Sequence, residues 1–423
     1  MCYSSPEPFE GKRVLVVGIG NTACETSLGL SKIAKVYQSY RRGRIILSRF
    51  RHWIAFDTLF TWPDLRLKYL LDHTMPWIMS PLGDKFMINA MVEAGAESEP
   101  AEPGVSHAEK LKRTERRMRQ DWHLLPCASM SITNPVVQED FIPALRRKDI
   151  IPVRGFRDFV GEKEVELADG HVLEVDAVIF CTGYTLDFGI VPELEMDGAC
   201  GLPTHTAAEV LEEEAGSGGQ RSKTNQNPKL PRLFQMIFPP RRASSMAILS
   251  WMVPQESRWC VYELASMAIA QIWAAETAKS SGSGNLTESY RAPAILPSLE
   301  DMNAHVDEYH AWFRRKWEKD NSVSEGFIRG HTFYRFLHGA AGTGLYEKLD
   351  HVLSGCGWRL WWEDHTLWAY LAKGPLNSYS WRLFETNPDG VPGCGRKAWP
   401  GARKALQESV GAGAGALTVK AGC

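Results

Sequence analysis

The feature that most restricts the fold of this chain is a short apolar run, Val14-Leu15-Val16-Val17, ending directly on Gly18-Ile19-Gly20-Asn21-Thr22-Ala23. A continuous apolar run bounded by Arg13 and Gly18 fits a strand covered on both faces, as parallel sheets require. The residues after it spell G-x-G-x-x-A. The first glycine permits a tight strand-to-helix turn, the second lets a pyrophosphate approach the backbone, and the small third residue lets helix and strand pack closely. A helical pattern follows, with Ala23, Ser27, Leu30 and Ala34 on one face. Gly29 inside that helix costs about 1 kcal/mol against alanine, so tertiary packing must hold it. Strand, glycine turn and helix in this order form the context in which the pattern binds a dinucleotide, because the helix N-terminus offers free N–H groups and a partial positive charge to phosphates. The competing reading is a plain structural turn.

The residues after the second strand indicate which dinucleotide. Lys35-Val36-Tyr37-Gln38-Ser39-Tyr40 is the strand candidate, ending at Arg41-Arg42-Gly43. A carboxylate there would bind a ribose 2′-OH and select NAD or FAD. The chain instead offers Arg41 and Arg42, with Arg44 close behind and no acid between Glu25 and Asp57. Guanidinium groups can pair bidentately with a 2′-phosphate that a carboxylate would repel, so NADP(H) is the better fit. The alternative is that these arginines are surface charges. Asn21, Thr22 and Ala23 would sit at the helix start beside the phosphates; Asn21 reads equally well as a simple helix cap. The other glycine-rich stretches, Gly216 to Gly219 and Gly339 to Gly344, follow no apolar strand and read as loops.

Composition narrows the function class. Over 423 residues, 44% are hydrophobic and 23% charged, as in an ordinary globular chain long enough for two or three domains. A net charge of -2 and a pI near 6.6 argue against nucleic acid as a partner. The nine cysteines are scattered singly, which suits reduced thiols better than a disulfide framework. The opening residues show no signal-peptide pattern, and no apolar run reaches the roughly 18 to 20 residues a membrane span needs; the expected location is cytoplasmic. There is no H-E-x-x-H or Cys/His cluster for a metal, and no G-x-S-x-G elbow. Tyr370 has its lysine at 373 rather than 374, so a short-chain-dehydrogenase pair is absent. No catalytic residue is assigned.

Along the rest of the chain, residues 50–125 read as a mostly helical insertion, with the charge run Glu109 to Arg119 as a solvated helix face. Val165 and Leu167 alternating with Glu164 and Glu166, a turn at Asp169-Gly170 and a return from Val172 to Val175 predict a hairpin. Ala177-Val178-Ile179-Phe180 is a further buried strand running into Cys181-Thr182-Gly183-Tyr184. Glu212 to Asn227 and Ser280 to Asn285 read as loops, residues 300–372 as helical and Trp-rich, and the tail from Gly411 as disordered. Trp358, Trp361 and Trp362 read as core or interface residues.

The segment Phe9-Glu10-Gly11-Lys12-Arg13-Val14-Leu15-Val16-Val17-Gly18-Ile19-Gly20-Asn21 closely resembles the NADPH-binding segment of flavin-containing monooxygenases. Ser39-Tyr40-Arg41-Arg42-Gly43 resembles that family's S-x-R-R-G at the 2′-phosphate pocket, and Phe180-Cys181-Thr182-Gly183-Tyr184 its F-A-T-G-Y segment near the flavin. Weaker echoes continue through Phe238-Pro239-Pro240 and Trp399-Pro400-Gly401-Ala402-Arg403. Ala23 and Cys181 depart from the family's glycine and alanine. The resemblance implies an α/β chain: a Rossmann-like NADP-binding domain over 9–180 with its helical insertion, the C-terminal part of an FAD-binding domain over 181–300, and a mostly helical region over 301–410. It implies NADPH- and O2-dependent oxygenation of a soft nitrogen or sulfur nucleophile, or of a ketone, in a small molecule. NADP(H) would be held by Gly18, Gly20, Asn21, Thr22, Ala23, Arg41 and Arg42, and FAD contacts would survive near Thr182 and Gly183. The family carries an earlier G-x-G-x-x-G unit for FAD, and no such unit precedes Gly18 here. The expectation is therefore a flavin site whose first half is missing, either covered by a partner chain or an oligomer or absent because the sequence as written is incomplete. The rival readings are a non-catalytic NADP(H)-binding protein that has lost flavin binding, and a flavin-independent NADP reductase.

Overall fold

A computed structural model of the chain describes residues 3–51, 54–55, 60–184, 187–216, 228–249, 251–280, 296–349, 355–374, 378–385 and 396–409. It divides into two units, Met1–Phe56 with Trp77–Thr185 and Asp57–Pro76 with Leu186–Cys423.

The first unit is built on β1 (Arg13–Val17), α1 (Asn21–Leu30) and β2 (Lys35–Tyr40), followed by the short strands β3 (Ile46–Leu47), β4 (Phe50–Arg51) and β5 (Ile54–Ala55). After α2 (Trp62–Thr74), which falls in the second unit, come α3 (Pro76–Glu97), α4 (His107–Gln120), β6 (Val136–Val137) and α5 (Phe141–Arg147). The unit closes with β7 (Ile150–Arg154), β8 (Phe156–Gly161), β9 (Glu164–Leu167), β10 (Val172–Glu174) and β11 (Ala177–Phe180). Four strands form a sheet in the order β11-β1-β2-β7, and every pairing in it is parallel.

The all-apolar run at β1 has the expected cause. Val14 and Val16 face a core that includes Ala23, Cys24 and Leu30 of α1. Leu15 faces the other way, against Val165 of β9 and Val175. That second cover is a three-stranded antiparallel sheet, β10-β9-β8, so one face of the parallel sheet is closed by strands. The hairpin from Glu164 to Glu174 is present, with Gly170 at φ +83 in its turn. Strand β8 is an addition to it. The tertiary packing that Gly29 requires comes from Ala23, Cys24, Ser27 and Leu30, all buried on the inner face of α1. Ala34 lies beyond the helix end.

The helical stretch over 50–125 is not one body: α2 clusters with the second unit, while α3 and α4 cross in the first at Gly95. A Cβ on Gly95 would meet Thr114 Cγ2 at 2.9 Å and Met118 Cε at 3.0 Å, which is why glycine stands there. The charged face of α4 is solvated as expected, with Arg119 paired to Glu115 at 2.8 Å.

The second unit holds the two-stranded sheet β12 (Glu195–Asp197) with β13 (Thr204–Thr206), then α6 (Ala207–Gly216), α7 (Arg258–Ser280), α8 (Leu299–Trp317), α9 (Gly330–Ala341), α10 (Leu345–Leu349), α11 (Cys356–Glu363) and α12 (His365–Lys373). Residues on either side of 300 cluster together in this unit. Glu212 to Gly216 is helical rather than loop, because the Glu-rich run belongs to a sequence of good helix formers. The remainder of that expected loop, the segment after Ser280 and the tail from Gly411 lie outside the described residues. Gly339 is inside α9, whose C-cap is Gly342 at φ +66. Trp358 and Trp362 are 60% and 82% exposed, so they are surface residues and not core. No described helix is long and apolar enough to cross a membrane.

Candidate functional site

Three segments that are distant in sequence meet at the carboxyl edge of the parallel sheet. β1, β2 and β11 run in the same direction, so Gly18, Tyr40-Arg41 and Cys181 leave the sheet at one edge. The Gly18 N–H donates to the Ser39 carbonyl at 2.8 Å, and the Cys181 N–H to the Val17 carbonyl at 2.8 Å. Strand order reverses at β1, with β2 on one side and β11 on the other; in open parallel sheets that is where the crevice for a ligand lies. At the opposite end of the same strands, Arg13 clamps Asp176 through its backbone N–H, Nε and Nη2, each at 3.0 Å. The guanidinium holds the Asp176 carboxyl well below the usual carboxylate range.

The two turn glycines differ in what they answer to. Gly18 has φ +135, and a Cβ there would lie 2.3 Å from the Cys181 carbonyl oxygen and 3.5 Å from Ala23 Cβ. The turn is therefore packed against the exit of β11, and Ala23, fully buried, is small because Gly18 sits over it. Gly20 is the N-cap of α1 in extended conformation, and a Cβ there would meet no protein atom within 4 Å. Internal packing gives no reason for glycine at 20.

The helix end beyond Gly20 is electrostatically open. No side chain caps α1 and its first turn has no acid. The first helical bond is donated by Cys24 to the Gly20 carbonyl at 3.0 Å, so the amides of Asn21, Thr22 and Ala23 precede it, carrying the positive end of the helix dipole. Asn21 and Thr22 are exposed. Asn21 is not the cap: its Oδ1 accepts from the Val137 N–H at 2.9 Å, tying α1 to β6.

Arg41 and Arg42 follow the last residue of β2 and are both exposed. The Arg41 stem lies over Gly155, where a Cβ would come within 2.8 Å of Arg41 Cγ. Arg44 is turned elsewhere. Its Nε donates to the Asn134 carbonyl at 3.2 Å and its guanidinium also bonds Thr133, so it braces the chain before β6. Thr182 and Gly183 are exposed beyond β11, with Gly183 at φ +103. The structure thus brings Gly18, Gly20, Asn21, Thr22, Ala23, Arg41, Arg42, Thr182 and Gly183 to one sheet edge. A cavity of about 280 Å³ in this unit, bordered by Ile46, Leu47, Gln138 and Ile142, includes none of them.

One site-bordering residue, Gln38, escaped the sequence reading, and its neighbour Ser39 entered it only as part of the S-x-R-R-G stretch. Gln38 and Ser39 are completely buried. Gln38 Nε2 donates to the Gly18 carbonyl at 3.0 Å. Ser39 Oγ donates to the Arg154 carbonyl at 3.0 Å and accepts from the Phe156 N–H at 2.6 Å. The available signal was a pair of polar residues inside a strand buried on both faces.

Residues 1–98 match the family model described as flavin-binding monooxygenase-like. "Monooxygenase aurF" of Gibberella zeae is 29% identical over 407 residues, which cover 96% of this chain and 65% of that protein. Human "Flavin-containing monooxygenase 3" is 24% identical over 416 residues, covering 96% of this chain and 58% of its own length. The chain therefore spans about three-fifths of the relatives it matches. Among solved structures, a cyclohexanone-bound cyclohexanone monooxygenase overlays with a TM-score of 0.41 at 12% identity, over 79% of this chain and 66% of that one. S-allyl-L-cysteine S-oxygenase from Allium sativum gives 0.38 at 13%, over 86% and 52%. By the match of its first 98 residues and by relatives that align along nearly all of its length, the chain is similar to flavin-binding monooxygenases.

Proposed function

We propose that the first unit binds NADP(H) at the β1–α1 turn, and that the protein oxygenates a soft nitrogen or sulfur nucleophile, or a ketone, with NADPH and O2. The observation that carries the coenzyme reading is Gly20. It faces empty space at an uncapped helix end, and the strand beside it ends in two arginines, with no acid in the sequence between Glu25 and Asp57. In this reading the amides of the first turn of α1 hold the pyrophosphate. Arg41 and Arg42 pair with the 2′-phosphate. Ala23 keeps helix and strand close enough for both contacts. Thr182 and Gly183 border the same edge and would meet the flavin; when bound, FAD supplies the redox and oxygen chemistry, and the protein's part is placement and exclusion of water. The rest of the flavin site would come from residues beyond those described or from a partner chain.

The test is the visible spectrum of purified protein supplied with FAD. A flavin spectrum bleached by NADPH without air, with NADPH consumption stimulated by a thioether, amine or ketone in air, is the expected result. Colourless protein that still binds NADP+ would favour a non-catalytic coenzyme-binding role. Protein that binds neither would overturn the reading.

A further inference from the structure

Gln38 is an amide in the middle of a strand whose two faces are both covered, a position where apolar side chains are the rule. It is completely buried. Nε2 is satisfied by the Gly18 carbonyl at 3.0 Å, whereas Oε1 is buried with no hydrogen-bond partner. The Cys24 thiol lies beside the amide, but burial keeps it protonated and it is a weak partner. A half-satisfied buried amide carries a desolvation cost that methionine would avoid, while methionine would leave the Gly18 carbonyl without its donor. The two effects offset, so stability gives little reason for glutamine here, and the group it touches does. Gly18 is the residue on which the chain turns from strand to helix, at φ +135. Its N–H is held by Ser39 and its carbonyl by Gln38, both from β2. A trans peptide is planar, with its C=O and the following N–H pointing in opposite directions. Fixing the Gly18 carbonyl toward Gln38 therefore directs the Ile19 N–H away from β2.

We propose that Gln38 is a positioning residue for the coenzyme, orienting the Gly18–Ile19 peptide so that the Ile19 N–H joins the first amides of α1 in facing the pyrophosphate. This rests on the NADP(H) reading above. Because the pyrophosphate is common to both nicotinamide coenzymes, Gln38 contributes to affinity and not to the choice between them, which stays with Arg41 and Arg42.

The experiment titrates NADP+ and NAD+ into wild type, Q38M and Q38E, with a thermal melt of each. Q38M is expected to melt within a few degrees of wild type, the removal of the orphan Oε1 offsetting the Gly18 carbonyl left without its donor, and to lose affinity for both coenzymes by the same factor, about tenfold. Q38E supplies a signature that a filler role lacks. A protonated carboxyl can donate to the Gly18 carbonyl and an ionised one cannot, and burial raises its pKa. Its affinity should therefore approach wild type near pH 5.5 and fall steeply toward pH 8.5, while that of wild type changes little. Wild-type affinity in Q38M, or a Q38E affinity that follows the wild-type pH profile, would overturn the proposal and leave the NADP(H) reading standing. If wild type itself binds neither coenzyme, it is that reading which fails.

Discussion

Replacing the two turn glycines by alanine, one at a time, separates a fold-bearing position from a ligand-facing one. At Gly18 the backbone lies at φ +135, and an added Cβ would stand 2.3 Å from the carbonyl oxygen and 3.0 Å from the carbonyl carbon of Cys181. Both are backbone atoms at the exit of β11, so no flexible side chain can yield. The unfavourable backbone region costs about 1–3 kcal/mol, and forcing the strands apart costs about as much again. G18A should therefore lose on the order of 3–5 kcal/mol. At roughly 2–4 °C per kcal/mol for a domain of this size, its Tm falls by about 10 °C or more. At Gly20 the backbone is extended, at φ -80 and ψ 177, and the new methyl meets nothing within 4 Å. The reduced freedom of the unfolded chain favours alanine, the weaker N-cap disfavours it, and the two nearly cancel at about 0.5 kcal/mol or less. G20A should melt like wild type. Its methyl nevertheless stands where the phosphates approach, so NADP+ affinity should drop at least about tenfold. Thermal melting and isothermal titration read both quantities on the same preparations. G20A that binds NADP+ as tightly as wild type, or G18A that melts with it, would refute this division of roles.

Further expectations follow from charged groups. Arg44 is committed to Asn134 and Thr133, so R44A should leave the NADP+/NAD+ preference unchanged in the same titrations. Glu99, whose side chain is 3% exposed, binds Arg117 at 3.1 Å with Arg146 at 3.7 Å; E99A leaves Arg117 without its ion pair and Arg146 with only its bonds to Ser98 and Gly95, and should cost roughly 2–3 kcal/mol, visible in denaturant melts. In the second unit, Glu256 bonds Tyr334 beside a cavity of about 20 Å³ lined by Trp62, Arg66, Tyr69 and His338. Burial pushes its carboxyl up from 4.5 to about 8, against a smaller opposing pull from Lys68. A folded pKa above the unfolded one gives stability that is complete below about pH 4.5 and lost as pH rises toward 8. His338, lowered to about 3, stays neutral throughout that window. The Tm of wild type should therefore decline between about pH 5 and pH 8 relative to E256Q; parallel curves would show that the carboxyl ionises freely.

The local unit β1–turn–α1 was legible because its signals are all short-range: an apolar run, glycines at fixed offsets and an amphipathic helix. The same holds for the hairpin at Glu164 to Glu174. What local pattern does not carry is partnership. The clamp between Arg13 and Asp176 joins residues 163 positions apart, and nothing in either segment announces it. The helices α2 and α3 follow one another directly in sequence, yet they cluster with different units, a choice made by the surfaces each one meets. Arg44 stands with Arg41 and Arg42 in sequence but points to Asn134, because the chain leaves the strand end at Gly43, where a Cβ would lie 1.9 Å from the Leu124 carbonyl oxygen. Gln38 carried no signal of its own, since polar residues in strands usually face solvent. Here both faces are covered, and the polarity serves the turn next door.

The measurement closest to the centre of this account is the ratio of NADP+ to NAD+ affinity, in wild type and in the double variant R41A/R42A. Two guanidinium groups at the end of β2 should make wild type prefer NADP+ by about tenfold or more. The double variant should lose that preference while keeping its NAD+ affinity. Equal affinities in wild type, or an equal loss for both coenzymes in the variant, would contradict the assignment of this sheet edge to NADP(H).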